Sequence, residues 1–180
     1  LQITYGGAEG KAAGTICLDH LTTSNEIISD TTPPTVTVTV NGTTVTAVVT
    51  DSRQVQPGCV FVCFPGQRVD GHDFAAAAIA GGALCVVANH PVAGVPASKL
   101  VLTPSSHKAM VRMGANYRML FSPKMIGVTG SVGKTTTKEF CYAVLAAFGE
   151  TIKTEGNQNN EIGLPNTLFR VGPTTQYAVV

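Results

Sequence analysis

Between Ile126 and Phe140 the chain reads IGVTGSVGKTTTKEF. Glycines, a lysine and a run of hydroxyls fall where an apolar segment gives way to a helix-compatible one. Phosphate binding is the chemistry those residue types support. Gly130 and Gly133 let the backbone curl so that successive N–H groups face one anion. A helix opening near Lys134 adds the positive end of its dipole, about half an elementary charge. Lys134, the candidate catalytic cation, reaches toward terminal phosphates, and the Thr135 hydroxyl is placed to ligate Mg²⁺. Gly130, Ser131, Val132, Gly133, Lys134, Thr135 and Thr136 are the candidate ATP-binding residues. The spacing departs from G-x-x-x-x-G-K-[ST] at one point: Val128 stands at the first glycine position, and Gly127 comes one residue early.

Three other polar clusters could meet a ligand. Asp51-Ser52-Arg53 follows a strand end, where it is either a cap with an Arg–Asp surface pair or a ligand contact. Asp70-Gly71-His72 is either a turn that leads into a helix capped by Asp73 or a place where His72 touches substrate. Asn157, Asn159 and Asn160 crowd one loop. Amides there either satisfy loop backbone or bond phosphate without adding charge. Glu161 reads as helix-start charge, and His20, His90 and His107 as ordinary isolated histidines.

The elements that must hold these clusters alternate between strands and helices, which argues for an α/β layer structure. Thr35 to Val40 alternates Thr and Val, meets Asn41-Gly42 and resumes as TTVTAVVT, the pattern of a hairpin. Cys59 to Phe64 reads as a buried strand between Pro-Gly pairs. A short alanine helix through Ala80 stops at Gly81-Gly82. Strands at 84–88 and 100–102 follow, then a helix capped by Ser105 or Ser106 and running to about Phe121. A boundary at Ser122-Pro123 divides the chain into domains 1–122 and 123–180. The second domain runs strand, phosphate loop, helix 134–148, strand 151–153, asparagine loop and helix 164–170. It ends in YAVV, the opening of another buried strand. The expected fold is thus a small α/β domain followed by the truncated start of a P-loop, doubly wound parallel sheet. An apolar end exposed at Val179-Val180 would leave the second half poorly stable.

The chain has 180 residues, 44% hydrophobic and 13% charged, which excludes disorder and allows a sizeable core. A formal net charge of +1 without basic runs gives no footprint for nucleic acid. No apolar stretch reaches the roughly 18 to 20 residues that span a bilayer, and the first residues lack a signal-peptide pattern. Cys59, Cys63 and Cys85 lie in apolar strand-like segments, so they read as reduced core thiols of a cytoplasmic protein.

Three segments together resemble the Mur ligases of peptidoglycan synthesis. They are VTDSRQVQPGCVFVCFPGQRVDGHDFAAAAIAGGALCVVA, the phosphate loop GVTGSVGKTTTKE, and TEGNQNNEIGLPNTLFR. The resemblance spans residues from about 48 to 180 and accounts for the displaced first glycine. It implies that the amino-terminal domain binds a UDP-muramoyl peptide. Asp51, Ser52, Arg53, Asp70, Gly71 and His72 would contact that substrate, as would Asn157, Asn159 and Asn160. It also implies ATP-dependent amide formation with Mg²⁺, in which a substrate carboxylate takes the γ-phosphoryl group and an amine then displaces phosphate. The asparagine-rich spelling looks most like the members that add D-alanyl-D-alanine to UDP-N-acetylmuramoyl tripeptide. The alternatives are the tripeptide-forming ligase acting on the muramoyl dipeptide and a non-catalytic nucleotide-sugar or ATP binding module. The family pattern continues past residue 180 into further metal and adenine contacts, so a piece without turnover is expected.

Overall fold

The computed structural model describes the backbone of residues 2–6, 14–17, 35–40, 42–66, 69–156, 158 and 160–180, with side chains from Val40 onward in those ranges. Asn157 and Asn159 of the expected substrate set, with His20 and Asn41, lie outside them. By contact the chain falls into two compact units, residues 1–106 and 107–180.

The first unit begins with strands that the sequence reading did not expect. β1 (Gln2–Gly6) and β2 (Gly14–Cys17) pair antiparallel, and β1 also pairs with β3 (Thr35–Val40). β4 (Thr43–Thr44) closes the sheet, with Val40 opposite Thr43 and Gly42 at φ 79°. The Thr/Val alternation suits a pleated, half-buried surface, and the tight turn calls for φ above zero. The return strand is shorter than TTVTAVVT suggests. Its second half leaves the hairpin as β5 (Ala47–Val49) and opens a different sheet, because the Thr46 N–H bonds the Gly58 carbonyl at 2.9 Å.

That second sheet is wholly parallel, in the order β5-β6-β7-β8, with β6 at Cys59–Val62, β7 at Cys85–Ala88 and β8 at Leu100–Leu102. All of β6 and β7 is buried, as a parallel sheet covered on both faces requires. Cys59, Phe61 and Cys63 share one face by the period of two and pack in one cluster with Ala75 and Ala78 of helix α1 (Ala75–Ala80). Burial pushes the thiol of Cys63 up to about 12 and that of Cys85 up to about 11, so both stay protonated in the core.

Asp73 was expected to cap α1, but Phe74 holds that N-cap without a side-chain bond, and Asp70 caps the turn before it. A 3-10 turn, Gly71–Phe74, precedes the helix, and Asp70 accepts the His72 N–H at 2.9 Å. The chain turns there because Gly71 lies directly against Phe64. Its N–H bonds the Phe64 carbonyl at 2.9 Å, and a Cβ on Gly71 would stand 2.8 Å from the Phe64 nitrogen.

The second unit opens with helix α2 (Ser106–Arg118), which the sequence reading placed ahead of the boundary at Ser122-Pro123. It groups with this unit through close contacts. A Cβ on Gly114 would be 2.9 Å from Pro165, and the Tyr117 ring meets Phe169 edge-on at 5.7 Å. Then come β9 (Lys124–Ile126), helix α3 (Lys134–Ala146), β10 (Thr151–Lys153), helix α4 (Gly163–Leu168) and β11 (Tyr177–Val179). The sheet is parallel in the order β10-β11-β9.

The apolar end is therefore not exposed as expected. β11 is the central strand, flanked on both sides, and Ala178 and Val179 are fully buried. Apolar exposure lies instead along α3 and just past its end, where Phe140, Val144 and Phe148 recur every fourth residue at 69%, 59% and 71% exposure.

Candidate functional site

The loop between β9 and α3 curls as its glycines demand. Gly130 has φ 148° and Gly133 has φ 79°, a left-handed residue at the N-cap of α3. A Cβ at Gly133 would meet nothing within 4 Å, so the glycine is there for the backbone angle and not for lack of room. The helix's own ladder begins with the Thr137 N–H on the Gly133 carbonyl at 2.9 Å, so the amides of residues 134 to 136 come ahead of it. Ser131, Val132, Gly133, Thr135 and Thr136 are exposed, Val132 at 90%. The Lys134 ammonium folds back across the loop and donates to the Gly130 carbonyl at 2.5 Å. The curl, the leading amides and the ammonium form a concave, electropositive seat.

The seat opens onto a cleft of about 720 Å³ in the second unit. Gly127, Val128, Thr129 and Lys134 line one side, and Thr154, Asn160, Glu161 and Pro165 another. The carboxyl ends of β9, β10 and β11 meet here, the edge where open parallel sheets take ligands. Of the expected asparagines, Asn160 reaches the cleft. Its Oδ1 accepts the N–H groups of Ile162 and Gly163 at 3.1 and 2.7 Å, which pins the turn that opens α4.

One buried residue of this region was not singled out by type. Lys138 is 3% exposed, and its ammonium donates to the carbonyls of Thr154 at 2.5 Å and Gly156 at 2.7 Å. It ties the first turns of α3 to the start of the asparagine loop. The available signal was its spacing, four residues after Lys134 and so on the same helix face.

In the first unit the expected substrate residues also gather at a carboxyl edge, but they satisfy one another. Asp51 accepts from the Arg53 N–H at 3.0 Å and from the guanidinium at 2.6 to 3.1 Å. Those bonds, the side-chain ones foremost, lower the Asp51 carboxyl to about 2. Ser52 is half-buried in the 3-10 turn between them.

His72 is 4% exposed, with both ring nitrogens engaged: Nδ1 with Asp70 at 2.5 Å, and Nε2 accepting the Asn89 N–H at 3.1 Å. With Nε2 accepting, Nδ1 is the nitrogen that donates, toward Asp70. The Asn89 side chain in turn accepts from the N–H and hydroxyl of Ser106. His90 stacks on His72 with centroids 4.3 Å apart. Asp70, His72 and His90 are close enough to suggest a metal site, yet His72 has no nitrogen left to give one.

Residues 44–116 match the description "Mur ligase family, catalytic domain", and residues 128–180 match "Mur ligase middle domain". The chain belongs to the Mur ligase family. It is 42% identical over 134 residues to the UDP-N-acetylmuramoyl-tripeptide–D-alanyl-D-alanine ligase of Synechocystis, covering 74% of this chain and 30% of that one. The Escherichia coli enzyme of the same name is 40% identical over 137 residues, with 76% and 30% covered. Among solved structures, MurF from Thermotoga maritima in complex with ADP superposes with a TM-score of 0.68 at 36% identity, covering 74% of this chain and 31% of that one. MurF from Acinetobacter baumannii gives 0.70 at 33%, with 77% and 30% covered. This Mur ligase chain spans about a third of the length of the relatives it matches.

Among the described residues no helix is long and apolar enough to cross a membrane.

Proposed function

We propose that this chain carries the nucleotide-binding and substrate-binding parts of an ATP-dependent amide ligase of peptidoglycan precursor synthesis. The reaction joins D-alanyl-D-alanine to UDP-N-acetylmuramoyl tripeptide. The observation that carries the reading is the curled seat at Gly130 to Thr136, with its ammonium drawn across the loop. Identity near 40% to ligases of that name supports the choice of substrates.

Separate family matches over residues 44–116 and 128–180 support a division of labour between two domains. Residues 1–122 hold the UDP-muramoyl peptide, and 123–180 begin the ATP domain. In the first domain the contacts are Asp51, Ser52, Arg53, Asp70, Gly71 and His72. In the second they are Asn157, Asn159 and Asn160. Given the bonds already made by Arg53 and His72, the first set acts through shape and backbone as much as through side-chain charge.

Phosphoryl transfer is mainly positioning and charge neutralisation. The seat amides and Gly130, Ser131, Val132, Gly133 and Thr136 orient the triphosphate. Lys134 exchanges the Gly130 carbonyl for the β- and γ-oxygens and offsets the charge that builds there. Thr135 supplies the hydroxyl that would hold Mg²⁺, which when bound neutralises β- and γ-oxygens. The tripeptide carboxylate accepts the γ-phosphoryl group, and the amine of D-alanyl-D-alanine then displaces phosphate to leave the amide. The free thiols Cys59, Cys63, Cys85 and Cys141 suit a reducing cytoplasmic setting.

Calorimetric titration of UDP-N-acetylmuramoyl tripeptide, with the dipeptide form as control, tests the substrate reading. Preference for the tripeptide is expected. Equal or stronger binding of the dipeptide would move the assignment to the tripeptide-forming ligase.

A further inference from the structure

Thr154 stands just past the carboxyl end of β10, two strand spacings from β9 and the phosphate loop, or about 10 Å. Its backbone is pinned on both sides. The N–H donates to the Val179 carbonyl at 3.0 Å, and the carbonyl accepts from Lys138 Nζ at 2.5 Å. The residue is 1% exposed, and its Oγ1 has no hydrogen-bond partner among the described residues. Thr154 nonetheless lines the same cleft as Thr129, Lys134 and Asn160. A buried hydroxyl without a partner is a cost that native structures rarely carry without a use.

Lys138 sharpens the point. Its buried ammonium is bonded to the Thr154 and Gly156 carbonyl dipoles and, among the described residues, to no carboxylate. The positive charge beside Thr154 is therefore held by carbonyls alone, while Lys134 and Glu161 are the charged residues that line the cleft itself. A hydroxyl donor beside a buried ammonium matches a phosphate oxygen, which only accepts.

We propose that Thr154 is a specificity-determining residue for the terminal phosphate of a nucleoside triphosphate, its hydroxyl donating to a γ-phosphate oxygen. Lys138 is the positioning residue that holds the Thr154 backbone at the cleft. The inference rests on the nucleotide-binding reading above and adds to it a source of discrimination between triphosphate and diphosphate.

The test titrates β,γ-imido-ATP and ADP, each with Mg²⁺, into the unsubstituted chain and into Thr154→Val, Thr154→Ser and Lys138→Met. Thr154→Val weakens the imido-triphosphate about 10- to 100-fold, the range for a hydrogen bond to a charged group, and leaves ADP affinity within about twofold. Its melting temperature does not fall, since valine keeps the shape and removes the orphan hydroxyl. Thr154→Ser restores the preference, and Lys138→Met loses it. If Thr154→Val fails to fold, the same ratio is read in Thr154→Ala. An unchanged ratio, with ADP still bound, overturns the role of Thr154 and leaves the nucleotide reading standing. Failure of the unsubstituted chain to bind either nucleotide overturns that reading and this proposal with it.

Discussion

At the carboxyl edge of the sheet β5–β8, polar side chains are spent on each other and on backbone: Arg53 on Asp51, His72 on Asp70 and the Asn89 N–H, Asn89 on Ser106. At the carboxyl edge of the three-stranded sheet, the seat residues are exposed; among the described residues Lys134 holds a carbonyl and the buried hydroxyl of Thr154 has no partner. Both edges belong to parallel sheets, so topology alone does not separate them. The difference lies in how each holds its shape. The first edge is braced by side-chain bonds across as many as 17 residues. The second is shaped by consecutive backbone angles and by one buried lysine. A braced edge presents a fixed surface, whereas an edge with unspent donors presents charge for a ligand to neutralise.

Lys134→Met tests the contrast most directly. It should weaken nucleotide binding about 100-fold or more, because charge-assisted bonds to two phosphates are lost together, while the melting temperature barely moves. A large fall in stability without loss of affinity would show that the lysine braces the loop instead. His72→Ala should do the reverse. Nucleotide affinity stays, and urea unfolding shows a loss of about 2 to 4 kcal/mol from the cavity and the unpaired Asn89 N–H. Unfolding at unchanged urea concentration would mean that the edge is not braced through this ring.

The smallest effect is at Asp51. Its folded value of about 2 lies below the ordinary 3.8, chiefly through the Arg53 hydrogen bonds. The contribution to stability is therefore complete above about 3.8 and disappears as pH falls through about 2. The carboxylate sits at the surface, so screening keeps the effect small. Asp51→Asn and the unsubstituted chain should converge in melting temperature near pH 2 and separate slightly by pH 5. Separation that grows toward acid would reverse the sign of the argument.

The phosphate seat was legible because its function is local. Gly130, Gly133 and Lys134 lie within five positions, and each residue type carries its own reason for being there. The strands of the parallel sheets were legible for the same kind of reason, as short apolar runs between Pro-Gly or Gly-Gly breaks. The 3-10 turn that Asp70 caps ahead of α1 was not, since it depends on Gly71 meeting Phe64 across a turn. Nor was the split of TTVTAVVT between two sheets, where the partner that draws β5 away is Gly58, twelve residues from Thr46. β1 and β2 were missed because they are short, five and four residues.

By itself the amino-acid sequence determined the α/β alternation, the seat for phosphate and the family spelling of the loop. These rest on backbone preferences and spacings that act within a few residues. Tertiary structure decided that β11 lies at the centre of its sheet, that His72 is saturated by Asn89, and that Lys138 grips the segment holding Thr154. Each of those outcomes is a hydrogen bond or a burial between residues far apart in the chain. Residue type names the donor or acceptor, but only packing chooses its partner.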